Sequence, residues 1–142
     1  MTTDADCVFC ELIGSGDARW VHRGDDAVAF LPLPEGALAP GHTLVVPRAH
    51  CVGILDADES TMTATMRLVQ LVSRAMTTAL GATGVVLLNA SGPGSGQSVD
   101  HFHVHVVPRW PDDGADLWPA DRSAHAPIPD VHDLLAAELA RR

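Results

Sequence analysis

Residues 101 to 107, His101-Phe102-His103-Val104-His105-Val106-Val107, carry three imidazoles in strict alternation with apolar side chains. A period of two belongs to an extended strand, so the three rings share one face while Phe102, Val104 and Val106 share the other and point to a core. A helix would spread the same rings over more than half of its circumference. Imidazole is the side chain best suited to proton transfer, metal ligation or attack at phosphorus near neutral pH. A purely structural histidine cluster is the competing reading, and three rings in strict alternation weigh against it.

Other reactive residues lie on either side. Cys7 and Cys10 form a C-x-x-C pair. A thioredoxin-like redox pair wants a strand before it, and only six residues precede Cys7. A zinc half-site needs two further ligands from elsewhere in the chain. His42 and His50 flank Thr43-Leu44-Val45-Val46; His50, just past that segment, is either within reach of a metal or a solvated loop residue. Cys51 stands alone and reads as a small buried residue. The loop from Ala90 to Ser98 contains Gly92, Gly94 and Gly96. It is either a plain connection or a phosphate cradle in which backbone N–H groups converge and Gln97 and Ser98 add donors. Its place beside the histidine face favours the cradle. A strand follows it, which excludes a dinucleotide fingerprint or a P-loop, both of which lead into a helix.

The elements that must position these groups are legible in outline. Residues 8–14 suit one short helical turn, and strands are expected at 27–31, 43–46, 85–89 and 101–107. Met62, Met66, Val69, Val72, Met76 and Leu80 recur at helical spacing, with Asp56 or Asp58 to cap the start and Gly81 or Gly84 to mark the stop. The segment 110–130 is irregular and carries Pro111, Pro119, Pro127 and Pro129. From Asp130 a last amphipathic helix runs through Val131, Leu134, Leu135 and Leu139. Strands with one long helix between them predict an α+β fold: an antiparallel sheet, one long helix and a C-terminal helix. The 142 residues suit one domain spanning 1–142.

Composition narrows the function classes. The chain has 18 acids against 9 arginines, no lysine, and a formal charge of −9. Duplex nucleic acid needs a cationic stripe that this sequence lacks, whereas a small anionic ligand needs only a local donor-rich pocket. No lysine also means no Walker-type phosphate lysine and no Schiff base. No apolar run is long enough to span a membrane. The acidic start, Met1-Thr2-Thr3-Asp4-Ala5-Asp6, lacks signal-peptide features, so a cytoplasmic protein is expected.

His101 to Val107 resembles the His-φ-His-φ-His-φ-φ motif of the histidine triad (HIT) superfamily. Gly96-Gln97-Ser98-Val99 resembles its G-Q-[ST]-V, and Pro40 to His50 resembles its P-G-H-x-L-V-x-P-x-x-H. Cys7-Val8-Phe9-Cys10 looks like the C-x-F-C opening of many bacterial, zinc-bearing members. Four motifs agree in order across residues 7–109; residues 110–142 form a C-terminal extension outside the resemblance.

The resemblance implies a HIT-like fold and a nucleotidyl hydrolase or transferase working through a covalent nucleotidyl-histidine intermediate. The substrates would be nucleoside 5′-phosphoramidates or related nucleotide conjugates. His103 matches the nucleophile. His105 matches the residue that donates to the phosphate and assists the leaving group. Gln97, Ser98 and Asn89 match substrate contacts. Cys7, Cys10, His50 and His101 match the four ligands of a structural Zn²⁺. The partner implied is a purine nucleotide, and the assembly a homodimer.

The chain departs from the family pattern at two places. Members commonly carry an acid shortly after A-F-x that holds the ribose hydroxyls; here Pro32 stands there, and Glu35 is the local substitute. The loop from Asn89 to Gln97 is one residue long of the pattern. Among other enzymes, His105-Val106-Val107-Pro108-Arg109 looks like the H-V-L-P-R of dinucleoside polyphosphate hydrolases. A galactose-pathway uridylyltransferase would carry Gln at the third triad position. Two further classes are a metal-dependent hydrolase using the H-x-H pair, recognised by chelator-sensitive catalysis, and a nucleotide-binding protein without turnover, recognised by tight binding with no product.

Overall fold

The computed structural model describes residues 4–142, so Met1 to Thr3 of the acidic start lie outside the described residues. In chain order the elements are α1 (Val8–Ser15), β1 (Trp20–Arg23), β2 (Ala27–Phe30), a 3-10 turn (Pro34–Gly36), β3 (Thr43–Pro47), α2 (Glu59–Leu80), β4 (Gly84–Leu88), β5 (Val104–Arg109) and α3 (Val131–Ala140). The fold is α+β, with five strands in the order β1-β2-β3-β5-β4, every neighbouring pair antiparallel.

Alternation along the strands builds two apolar layers. Ala27, Ala29, Val45, Val104, Val106 and Phe102 face α2, where they meet Leu68, Val69, Val72 and Met76. Val28, Phe30, Leu44 and Val46 face the other way, against Cys7 and Phe9. Each central strand thus has both faces covered, and β2 and β3 are buried along their whole length.

α2 starts at Asp58, whose carboxylate accepts from the Thr61 N–H at 2.8 Å, and stops at Gly81, which takes the left-handed conformation at φ 68°. Asp56 does other work: its carboxylate accepts from the N–H groups of Val52 and Gly53. The buried face of α2 is Thr65, Leu68, Val69, Val72 and Met76. Met66 and Leu80, which share the apolar helical spacing, are 45% and 46% exposed.

Two strands differ from the expectation. Trp20–Arg23 adds a fifth strand at the edge, where one covered side leaves little apolar alternation to read; its pairing with β2 slips between Trp20 and His22. The histidine strand begins at Val104 rather than His101. Ahead of it the chain is fastened by other means. The Phe102 N–H donates to the Cys51 carbonyl at 2.8 Å, and Asn89 Nδ2 donates to the His103 carbonyl at 2.8 Å, a side chain standing in for a ladder partner. Past β5, Arg109 reaches the Asp113 carboxylate with two N–H groups at 3.0 Å, and α3 follows with its apolar residues exposed.

Candidate active site and metal centre

All three triad histidines do share the face opposite α2, but not as an open surface: His101 and His103 are buried beneath α1. Phe9 of α1 stands edge-on to both rings, with centroids 5.9 Å from His101 and 5.1 Å from His103.

His101 turns away from the other two. Its Nε2–H donates to the Pro47 carbonyl at 2.8 Å, which in the neutral ring leaves the lone pair on Nδ1. That nitrogen lies 3.4 Å from Cys7 Sγ, 3.6 Å from Cys10 Sγ and 3.2 Å from His50 Nδ1, and Cys10 Sγ lies 3.5 Å from His50 Nδ1. The four donor atoms fall within 4.8 Å of one another. Tetrahedral metal–ligand bonds of about 2.0–2.3 Å require ligand–ligand edges of roughly 3.3–3.8 Å. The donor set fits a metal ion. Burial also pushes the His101 imidazole below its ordinary pKa, keeping it neutral as ligation requires.

His103 and His105 face a cleft of about 680 Å³. Two chains of hydrogen bonds fix which nitrogen of each ring carries the proton. His103 Nδ1 lies 2.7 Å from the His101 carbonyl, which can only accept, so Nδ1 holds the proton and Nε2 of the neutral ring holds a lone pair. Sequence reasoning named His42 beside its strand but gave it no role in the site. The Leu38 N–H donates to His42 Nδ1 at 3.0 Å, so the His42 proton sits on Nε2 and is donated to His105 Nδ1 at 2.9 Å. His105 is then left with Nε2–H. Burial, with His103 and His42 close by, pushes His105 down to a pKa of about 4, and burial lowers His42 as well, so both rings are neutral at pH 7. One ring offers a lone pair and the next offers a proton, with centroids 5.0 Å apart.

A family model described as the HIT domain matches residues 15–112. The chain is 38% identical over 108 residues to an uncharacterized HIT-like protein of Saccharolobus solfataricus, covering 75% of this chain and 76% of that one. The chain belongs to the HIT domain family.

Other members broaden the comparison. The adenylylsulfatase HINT3 of Arabidopsis thaliana is 32% identical over 108 residues, covering 76% of this chain and 54% of its own length. A zinc-bound histidine triad family protein from Mycobacterium smegmatis superposes with a TM-score of 0.73 at 30% identity, covering 96% of this chain and 94% of that one.

The remaining expected site residues of this HIT chain divide into two groups. Ser98 and Glu35 line the cleft together with His103 and His105. Gln97 and Asn89 are occupied within the fold. Gln97 Nε2 donates to the carbonyls of Val52 and Val99, and its Oε1 accepts from the Gly92 N–H at 2.9 Å, which ties the glycine loop closed. Asn89 Nδ2 holds the His103 carbonyl, and its Oδ1 accepts from the Ser91 hydroxyl at 2.9 Å. The rest of the cleft wall is mostly apolar, with Val8, Phe9, Leu12, Phe30, Leu33 and Leu44.

Proposed function

We propose that this chain is a nucleotidyl hydrolase acting on nucleoside 5′-phosphoramidates or related nucleotide conjugates through a nucleotidyl-His103 intermediate. The observation that carries the reading is the pair of opposite tautomers on adjacent rings. His103 Nε2 attacks the α-phosphorus, and the bond from phosphorus to the leaving group breaks. The departing group takes the bonding electron pair and a proton, which His105 relays from solvent. Water then attacks the same phosphorus, its proton leaves by way of His105, and Nε2 departs to regenerate the free ring. The His101 carbonyl, hydrogen-bonded to His103 Nδ1–H, stabilises the positive charge on the nucleotidylated ring. Ser98 and N–H groups of the glycine loop serve as donors to the phosphoryl oxygens, and Glu35 as the acceptor for ribose.

Gln97 and Asn89 act on substrate through what they hold: the loop and the His103 backbone. Cys7, Cys10, His50 and His101 hold zinc in this reading. Thiolate and imidazole donors in a closed four-ligand set suit that ion, and a relative of similar structure is zinc-bound. All four positions are taken by protein, so the ion supplies structure and no substrate site. Mass spectrometry of acid-quenched turnover should find one nucleotidyl group on the peptide containing residues 101–109. Turnover without that adduct would overturn the covalent route.

A further inference from the structure

The cleft wall carries three charged side chains, Asp17, Arg19 and Glu35. Arg19 is the single arginine on the cleft wall among the described residues. Among the described residues none of the three has a side-chain hydrogen bond or an ion pair, so the guanidinium stands free beside two carboxylates without closing on either. Opposite charges left unpaired across a gap are available to a ligand that satisfies both.

Strand register fixes how far the Arg19 end of the cleft lies from the chemistry. Trp20, next to Arg19, is opposite Phe30; Phe30 is opposite Leu44; Leu44 is opposite His105. Three strand spacings put about 14 Å between the two ends. The backbone at Arg19 is held, because its carbonyl accepts from the Leu31 N–H at 3.0 Å. Between the ends the wall is apolar, with Phe9, Phe30 and Leu44, and it suits a flat ring. A nucleoside 5′-phosphate with its phosphate on His103 therefore extends its base toward Arg19 and Asp17.

A second phosphate at that end would meet Arg19 but also face the carboxylate of Asp17. Adenine offers N7 to a guanidinium but turns a 6-amino donor toward it. Guanine satisfies both signs of charge: O6 and N7 match the guanidinium fork, and N1–H and the 2-amino group donate to a carboxylate. Resting on the nucleotidyl-hydrolase reading above, we infer that the base slot selects guanine, with Arg19 as the specificity-determining residue on O6 and N7 and Asp17 as the acceptor.

Calorimetry on the full chain with GMP and AMP tests this without requiring turnover, and kcat/KM for guanosine and adenosine 5′-phosphoramidates tests it in catalysis. GMP should bind roughly tenfold or more tightly than AMP, the scale of one good bidentate contact. In Arg19→Ala the ratio should fall to about one, and Arg19→Lys should restore little of it, since an ammonium is not a fork. Asp17→Asn should also reduce the ratio. Equal affinities in the unaltered chain, or an unchanged ratio in Arg19→Ala, would overturn the inference. The two readings fail separately. Equal use of both phosphoramidates with the adduct on His103 removes guanine selection alone, whereas GMP preference without any adduct removes the covalent route alone. Binding of neither nucleotide overturns both.

Discussion

At the scale of single residues, the site depends on protons placed by backbone groups and by His42. The His101 carbonyl orients His103, and Leu38 and His42 together set His105. Replacing His103 with Ala should lower kcat by about a thousandfold or more while nucleotide affinity stays within roughly tenfold, because the lost ring acts on the transition state and little on the ground state. Steady-state kinetics with parallel calorimetry checks this, and a fall in affinity that accounts for the whole loss would count against it. His105 also links stability to pH. Its pKa is 6.5 as an ordinary imidazole and about 4 in the fold. Between those values the unfolded chain binds more protons, so stability rises with pH there. The contribution is complete above about pH 6.5 and is lost as the pH falls toward 4. Melting temperatures measured from pH 7 down to pH 4.5 should fall, and the fall should be shallower in His105→Gln.

The elements carry the site by pairing local rules with distant partners. β3 and β5 bring Leu44 opposite His105, while α1 lowers Phe9 onto His103. α2 packs against them from the other face of the sheet, and among the described residues none of its side chains lines the cleft. Two of its three methionines, Met66 and Met76, therefore make a direct comparison. Met76 is 4% exposed, and Met76→Ala should cost about 2–5 kcal/mol of unfolding free energy. Met66 is 45% exposed, and its replacement should stay within about 0.5 kcal/mol. Denaturant unfolding of the two variants decides this, and similar losses would mean that α2 packs in another register. The helix start depends on Asp58, so Asp58→Ala should cost about 1 kcal/mol with kcat unaltered.

For the molecule as a whole, two apolar layers lie on the two faces of one sheet, and the four side chains that could hold a metal ion lie at the edge of the layer under α1. The larger layer, against α2, contains none of them. Protein purified without chelator should therefore carry about one zinc per chain. Removing it should loosen residues 7–15 and leave β2, β3 and β5 protected, because the sheet keeps its own apolar support. Elemental analysis and hydrogen exchange measure the two parts. Chelation that exposes the central strands would show that the ion holds the entire fold, and purified protein without any metal would remove the zinc assignment. Among the described residues no helix is long and apolar enough to cross a membrane.

Local pattern determined a good part of this. The alternation at 101–107 put the imidazoles on one face and Phe102, Val104 and Val106 on the core side, and the cap at Asp58 and stop at Gly81 bounded α2, because side-chain direction and capping depend on neighbours a few residues away. The elements at 27–31, 43–46 and 131–139 were readable for the same reason. Tertiary structure decided what rests on distant partners. It set Trp20–Arg23 as the fifth strand and Val104 as the start of β5, and it turned Met66 outward and Met76 inward. It also gave His42 a partner 63 residues away and committed Gln97 to the carbonyls of Val52 and Val99. A residue's type and spacing state which hydrogen bonds and contacts it can make; only the packed chain determines which distant group receives them.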